Sequence, residues 1–147
     1  MHEATLAISD RPLKLLVADD DPVQRALAEE WLSAGGNQVI LAEDGHAALD
    51  QAMDHCFDLI VLDLEMPGMD GFEALSMLRA DGRHMTTPVM VITGRSDTFA
   101  IDEAYKRGAT SFVVKPVVWP LLIRQVRYLL QAERMSRGLA ALGAAMA

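Results

Sequence analysis

A chain of 147 residues is long enough for one domain of roughly 150 residues, and its hydrophobic fraction of 51% can form a buried core. Aromatic residues make up only 5% of the sequence while Ala, Leu and Met are common, which favours a helix-containing fold over an all-β sandwich. The net charge of −8 argues against binding to nucleic acid or to an anionic membrane, since both need a basic surface.

Five short apolar runs predict β-strands. They are rich in Val, Ile or Leu and do not alternate with polar residues, which is typical of strands buried on both faces of a parallel sheet. In chain order the runs are residues 13–18, 38–42, 57–62, 88–93 and 110–114.

Between these runs, apolar residues recur at helical spacing and predict five helices. Asp21 is a candidate N-cap of the first helix, with Pro22 at its first position, and the Gly35-Gly36 pair ends it. In chain order the segments are residues 22–34, 44–55, 72–80, 96–107 and 119–135.

This alternation predicts an α/β fold, with a five-stranded parallel sheet and helices on both faces joined by right-handed crossovers. Five such units fit the flavodoxin-like (βα)5 strand order 2-1-3-4-5, although spacing alone does not determine the order. We expect a flexible lead over residues 1–12 and the domain over residues 13–135. Residues 136–147 are either an Ala-rich tail or the start of a helical linker.

The linker interpretation rests on apolar spacing in the last segment. Met135, Leu139, Leu142 and Met146 recur at 4-3-4 intervals, as in a coiled coil. Two glycines and the short length favour the tail instead, so both interpretations stay open.

The remaining composition is less informative about function. The single cysteine, Cys56, excludes a disulfide framework, and its place before an apolar run predicts burial. The sequence has neither the basic start of a signal peptide nor the ~20 apolar residues of a membrane span, so we expect a soluble cytoplasmic domain. Surface positions are expected for the four histidines, His2, His46, His55 and His84.

Polar side chains follow four of the predicted strands, at the carboxyl edge where sites in open α/β sheets lie. They are Asp19 and Asp20, Asp63, Thr93 and Lys115. Clustered carboxylates repel one another and need a cation. A set of oxygen ligands without His or Cys suits Mg²⁺ and argues against zinc. A carboxylate held there is a nucleophile toward phosphorus, and the metal and Lys115 would spread the phosphoryl charge.

These segments resemble the receiver domain of two-component response regulators, the CheY-like family. The resemblance covers about residues 13–134 and rests on four motifs. They are Leu-Leu-Val-Ala-Asp-Asp-Asp-Pro, Asp-Leu-Ile-Val-Leu-Asp-Leu-Glu-Met-Pro-Gly-Met-Asp-Gly, Val-Ile-Thr-Gly and Phe-Val-Val-Lys-Pro.

The resemblance implies a phosphorylation switch. Asp63 would accept a phosphoryl group from a phosphohistidine of a sensor histidine kinase or a phosphotransfer protein. Asp20 would bind Mg²⁺ (or Mn²⁺) directly together with Asp63, Asp19 would act largely through water, and the backbone carbonyl of Glu65 would complete the protein ligands. Thr93 matches the hydroxyl of the family.

Further roles follow from the same resemblance. Lys115 matches the family's lysine, and its bond to Pro116 is expected to be cis. Phe112 matches an aromatic residue whose rotamer follows Thr93 when the domain is phosphorylated, although many relatives have Tyr there.

Three residues match positions that modulate the hydrolysis of the aspartyl phosphate. Gly94 leaves room for the phosphoryl group and for water. Glu65 and Arg95 carry opposite charges, and we expect them to pair across the mouth of the site and slow the approach of water.

The implied function is a switch that catalyses its own phosphorylation and dephosphorylation and is not an enzyme with substrate turnover. Phosphorylation would alter the face formed by the fourth helix, fifth strand and fifth helix, and so homodimerisation. The last helix also resembles receivers that precede cyclic-dinucleotide signalling modules, which implies a C-terminal output domain. No direct nucleic-acid or membrane partner is expected.

Two other function classes are weaker. A Mg²⁺-dependent phosphatase of the haloacid-dehalogenase type also uses an Asp at a strand end, but it needs a second Asp where Glu65 stands, and a cap domain. An interaction module independent of phosphorylation is disfavoured because the acidic pair, Asp63, Thr93 and Lys115 are all present.

Overall fold

Strands and helices alternate along the chain in the predicted order. The computed structural model describes residue 9 and residues 11–146. The strands are β1 (Lys14–Ala18), β2 (Gln38–Ala42), β3 (Leu59–Asp63), β4 (Val89–Thr93) and β5 (Ser111–Val114). The helices are α1 (Pro22–Leu32), α2 (Gly45–Asp54), α3 (Gly71–Ala80), α4 (Thr98–Lys106) and α5 (Trp119–Met146).

The five strands form one parallel sheet in the order β2-β1-β3-β4-β5. The predicted fold class and strand order are therefore confirmed. Every residue of β3 and β4 is buried, which explains why these two runs are apolar without alternation. The residues at the carboxyl ends of these two central strands are therefore held rigidly.

A hydrophobic core lies on each face of the sheet. Because successive residues of a strand point to opposite faces, Leu15 and Leu16 of β1 belong to different cores. Helices α2, α3 and α4 contribute to the core that contains Leu16, and α1 and α5 contribute to the core that contains Leu15. Both faces are covered, as the sequence predicts.

Helices α1 to α4 each begin behind an aspartate whose side chain accepts a backbone N–H of the first turn. These N-caps are Asp21, Asp44, Asp70 and Asp97. Each such cap typically contributes about 1 kcal/mol to stability. The predicted cap of the first helix at Asp21, followed by Pro22, is confirmed.

Helix α5 is longer than its predicted bounds. It is a single helix of 28 residues, so residues 136–146 continue it, and Leu139 and Leu142 on this extension are exposed. Ala147 lies outside the described residues, as do residues 1–8 and 10 of the expected lead. None of the helices in the described part of the chain has the length and apolar composition that a membrane span needs.

Two expectations about burial are wrong. Cys56 is exposed, because the larger apolar residue that follows it, Phe57, takes the buried position. His84 is fully buried, not at the surface. Its Nε2 donates to the carbonyl oxygen of Ala52 at 2.8 Å, and its Nδ1 lies 3.3 Å from Thr87 Oγ1. Burial of His84 is tolerated because both ring nitrogens have partners.

This contact network predicts a large effect of His84→Ala. The substitution leaves a cavity beside Phe57 and an unpaired carbonyl at Ala52, so we expect the free energy of unfolding to fall by about 2–4 kcal/mol. Urea denaturation measures the change. The control is His46→Ala at an exposed position of α2, where the effect should stay within about 0.5 kcal/mol. Equal effects of the two substitutions would contradict the structural role of His84.

Candidate functional site

Three carboxylates meet at the carboxyl edge of the sheet. Asp19 and Asp20 follow β1, Asp63 ends β3, and one carboxylate oxygen of each lies within 4.8 Å of the others. Asp63 and Asp19 are only 2% and 6% exposed, whereas Asp20 faces solvent. The structure thus brings together the acidic residues that the sequence singles out, with one of them open to an incoming ion.

Lys115 lies against two of these carboxylates. Its Nζ is 2.9 Å from Asp63 Oδ2 and 3.2 Å from Asp19 Oδ2. The lysine directly follows β5, its backbone N–H donates to the carbonyl of Thr93 at 2.8 Å, and the Lys115–Pro116 peptide bond is cis. One ammonium against three carboxylates leaves a net negative site that a divalent cation can neutralise.

The buried pair has shifted protonation equilibria. Burial raises the pKa of Asp63 to about 6, with the hydrogen bond from the Glu65 N–H and the ammonium of Lys115 opposing and the charge of Asp19 adding to the rise. Burial lowers the pKa of Lys115, but its contacts with Asp63 and Asp19 outweigh this and leave the pKa raised. At neutral pH, Asp63 is therefore mostly a carboxylate and Lys115 an ammonium.

Both oxygens of Asp63 are held in place. Oδ1 accepts the backbone N–H of Glu65 at 2.9 Å, and Oδ2 accepts from Lys115. The segment that follows folds back, so that the N–H of Gly71 donates to the carbonyl of Leu64 at 3.0 Å. A Cβ at Gly71 would lie 2.4 Å from the carbonyl oxygen of Asp63 and 2.4 Å from Leu64 Cα. The position and conformation of Asp63 therefore depend on a glycine at residue 71.

Thr93 is fully buried at the end of β4, and its hydroxyl is engaged on both sides. Oγ1 donates to Glu65 Oε1 at 2.9 Å and accepts the backbone N–H of Arg95 at 3.2 Å. Gly94 is exposed, and a Cβ there would lie 3.6 Å from Glu65 Oε1, an ordinary contact.

The expected ion pair between Glu65 and Arg95 is wrong. Arg95 instead pairs with Asp97, the N-cap of α4, at 3.2 Å, and its guanidinium lies 5.9 Å from the centre of the Phe72 ring. A carboxylate two residues away and the face of an aromatic ring both attract the guanidinium. Glu65 is therefore left to the Thr93 hydroxyl.

Phe112 lies on β5, half-buried, and packs against the core beneath α2, α3 and α4. Its ring centre is 6.5 Å from that of Tyr105 on α4. This placement lets the ring sense movements of α4, while its response to phosphorylation stays a prediction.

Other residues at the site escape sequence reasoning. Arg25 of α1 donates to the backbone carbonyl of Asp19 at 2.7 Å, and Trp119 lines a small cavity together with Asp19 and Asp63. Arg25 lies in the first turn of α1 and Trp119 begins α5, so neither stands at the end of a strand, where the sequence analysis looks for site residues. The Glu65 side chain is in a motif, but only the fold reveals its partner.

A family model and curated proteins match this chain. The model of the response regulator receiver domain matches residues 15–127. The chain is 36% identical over 133 residues to the transcriptional regulatory protein AfsQ1 of Streptomyces coelicolor, covering 90% of this chain and 57% of that protein. It is 34% identical over 127 residues to the response regulator MprA of a Mycobacterium species, covering 86% of this chain and 54% of MprA. The chain thus spans about half the length of these relatives.

The fold is also similar to that of solved proteins. For the chemotaxis protein CheY4 of Vibrio cholerae, the TM-score is 0.77 at 30% identity, covering 81% of this chain and 99% of CheY4. The residues that the family model matches, 15–127, include the acidic cluster of Asp19, Asp20 and Asp63.

Proposed function

Because this chain belongs to the response regulator receiver domain family, we propose that Asp63 is its phosphoacceptor and that a histidine kinase or phosphotransfer protein is the donor. The observation that carries the proposal is the position of Asp63. Its carboxylate is buried at the end of a central strand, beside Asp19 and within 2.9 Å of Lys115. Asp19 also contacts Lys115, but Asp63 is itself the last residue of a strand in which every residue is buried.

The transfer step needs a nucleophile and a way to hold negative charge. An oxygen of Asp63 attacks the phosphorus of phosphohistidine, a P–O bond forms as the P–N bond breaks, and the electron pair of that bond stays on the imidazole nitrogen. Lys115 then exchanges its hydrogen bond to Asp63 for a phosphoryl oxygen, and Thr93 donates to another. Lys115 already contacts Asp63 and needs little reorganisation, whereas Thr93 must first release Glu65, to which its hydroxyl donates.

The donor set fits a divalent cation. The proposed ligands are Asp20, Asp63 and the backbone carbonyl of Glu65, with Asp19 acting through water, and all of these donors are oxygens, as Mg²⁺ prefers. When bound, the ion neutralises charge on the transferring phosphoryl group. Mn²⁺ is the alternative ion for the same set.

The phosphoryl group is removed from Asp63 by hydrolysis. Water attacks phosphorus, the bond to Asp63 oxygen breaks, and the products are inorganic phosphate and the free carboxylate. The family is one of signalling domains, and the matches lend no support to a phosphatase of the haloacid-dehalogenase type. Self-catalysed phosphorylation and hydrolysis are thus the proposed chemistry. Residues Glu65, Gly94 and Arg95 at the mouth of the site are proposed to set the hydrolysis rate.

The proposed output is a change in the α4-β5-α5 face, formed by those three elements. Thr93 moving toward the phosphoryl group would let Phe112 turn inward and alter the surface around Tyr105, which is 48% exposed. A second copy binding this face, or an output domain after α5, would read the change. The greater length of the curated relatives supports an output domain, and a cyclic-dinucleotide module is one candidate. The proposal places the chain in the cytoplasm.

Small phosphodonors test the proposal directly. Incubation with acetyl phosphate and Mg²⁺ should add one phosphoryl group per chain, and EDTA should prevent the addition. Hydroxylamine should remove the group, because an acyl phosphate reacts with it. A label that forms equally well in EDTA, or that resists hydroxylamine, would contradict the proposal.

The raised pKa of Asp63 predicts how cation binding depends on pH. Mg²⁺ needs the ionised carboxylate, and with a pKa of about 6 roughly ten of eleven Asp63 side chains are protonated at pH 5. The affinity for Mg²⁺ should therefore be about tenfold lower at pH 5 than at pH 7.5. The Mg²⁺ affinity can be measured by titration calorimetry or by the fluorescence of Trp119, which lines the cavity beside Asp63. Asp63→Asn should bind weakly at both values, and equal wild-type affinities would count against the shifted pKa.

A further inference from the structure

A hydrogen bond to Glu65 fixes the position of the Thr93 hydroxyl in the unphosphorylated protein. Thr93 Oγ1 donates its proton to Glu65 Oε1 at 2.9 Å. A hydroxyl has a single proton to donate. Thr93 therefore cannot donate to a phosphoryl oxygen on Asp63 until it releases Glu65.

The acceptor is a strong one. A hydrogen bond to a carboxylate is roughly twice as strong as one between neutral groups. No ion pair in the described part of the chain involves Glu65. Arg95, the cation that the sequence analysis pairs with Glu65, is held by Asp97 and lies over Phe72. The charge of Glu65 is therefore not neutralised by a cationic side chain when the hydroxyl leaves.

We propose that Glu65 is a latch on the switch: its carboxylate holds the Thr93 hydroxyl in the unphosphorylated arrangement and opposes the phosphorylated one. Glu65 is a positioning residue in this role, since it acts through Thr93. The inference rests on the proposed function of Asp63 and adds what determines how readily this chain adopts its phosphorylated state. A side chain at residue 65 that cannot accept the hydroxyl should favour that state.

Beryllofluoride tests the latch at equilibrium, because it binds an aspartate carboxylate and its fluorines take the places of phosphoryl oxygens. Its affinity in the presence of Mg²⁺ is measured for wild type, Glu65→Gln and Glu65→Ala by titration calorimetry. We expect Glu65→Ala to bind about tenfold more tightly than wild type. Glu65→Gln should fall between them, because its amide oxygen still accepts a neutral hydrogen bond. Glu43→Ala removes an exposed carboxylate that follows β2 at the same edge and should leave the affinity within about twofold.

A second background separates the latch from simple repulsion between Glu65 and the bound anion. Thr93→Val keeps the shape of the side chain and removes the hydroxyl. If Glu65 acts through that hydroxyl, the gain from Glu65→Ala disappears in the Thr93→Val background. If the gain persists there, or if Glu65→Gln equals Glu65→Ala, charge repulsion accounts for it and the latch is overturned.

The failure of the latch differs from the failure of the proposed function. If wild type binds beryllofluoride and Glu65→Ala binds it no more tightly, the latch alone is overturned. No binding by wild type overturns the proposed function and the latch with it. Glu65 is exposed, so its variants should fold, and their thermal unfolding transitions, matched to wild type, establish this before the titrations.

Discussion

Asp63→Asn is expected to abolish phosphoryl incorporation. Wild type incubated with acetyl phosphate and Mg²⁺ should gain about 80 Da, the mass of one phosphoryl group, and the variant should gain nothing measurable by intact mass spectrometry. The amide has the shape of the carboxylate but lacks the negative oxygen that attacks phosphorus. It also removes a charge that is only 2% exposed and stands beside Asp19, so the fold should be kept.

The matched control is an aspartate on the surface. Asp50 is an exposed residue of α2 outside the acidic cluster, and Asp50→Asn should be labelled as wild type is. A label that persists in Asp63→Asn, for example by moving to Asp20, would show that the acidic cluster has a different nucleophile. Peptide mapping of the labelled protein distinguishes these outcomes.

Gly71→Ala is expected to disturb both the fold and the acidic site. The added methyl would lie 2.4 Å from two backbone atoms, the carbonyl oxygen of Asp63 and Cα of Leu64. Backbone atoms of a buried central strand cannot move aside as a flexible side chain can. We expect the free energy of unfolding to fall by about 3 kcal/mol, with weaker Mg²⁺ affinity because Asp63 is displaced. Urea denaturation and Mg²⁺ titration measure the two effects.

Gly138→Ala provides the opposite case. Gly138 lies within α5, and nothing is within 4 Å of an added methyl there. Alanine is favoured over glycine in a helix by about 1 kcal/mol, so this substitution should stabilise α5. If Gly71→Ala is as well tolerated as Gly138→Ala, the close packing of α3 on the end of β3 is not a constraint.

The fold and the acidic edge are predictable because they depend on patterns that are local in sequence. Buried strands such as β3 are continuous apolar runs. The polar residue that interrupts such a run, Asp63 in β3, marks the carboxyl end of the strand and so the edge of the sheet. The caps of the helices follow the same logic, as Asp21 and Pro22 illustrate. Parallel strands then bring their carboxyl ends together without further information.

The details that sequence reasoning gets wrong depend on competition between partners. The sequence offers Arg95 the carboxylates of Glu65 and Asp97, and Arg95 pairs with Asp97, which lies two residues away and is held at the N-cap of α4. His84 is polar and lies in a loop, yet it is buried because Ala52 and Thr87 supply hydrogen-bonding partners from elsewhere in the fold. Residue spacing in the sequence does not reveal these contacts, because each one depends on which of two environments suits the side chain better in the folded protein.

The length of α5 turns a small angular change into a large displacement. Among its described side chains, Leu130 is the last that packs against the core, and the helix continues to Met146, so about 24 Å of rod extends past that contact at 1.5 Å per residue. Tilting the packed turns by about 10° would move the far end through roughly 4 Å. The geometry works as a lever arm, with the sheet as its fulcrum.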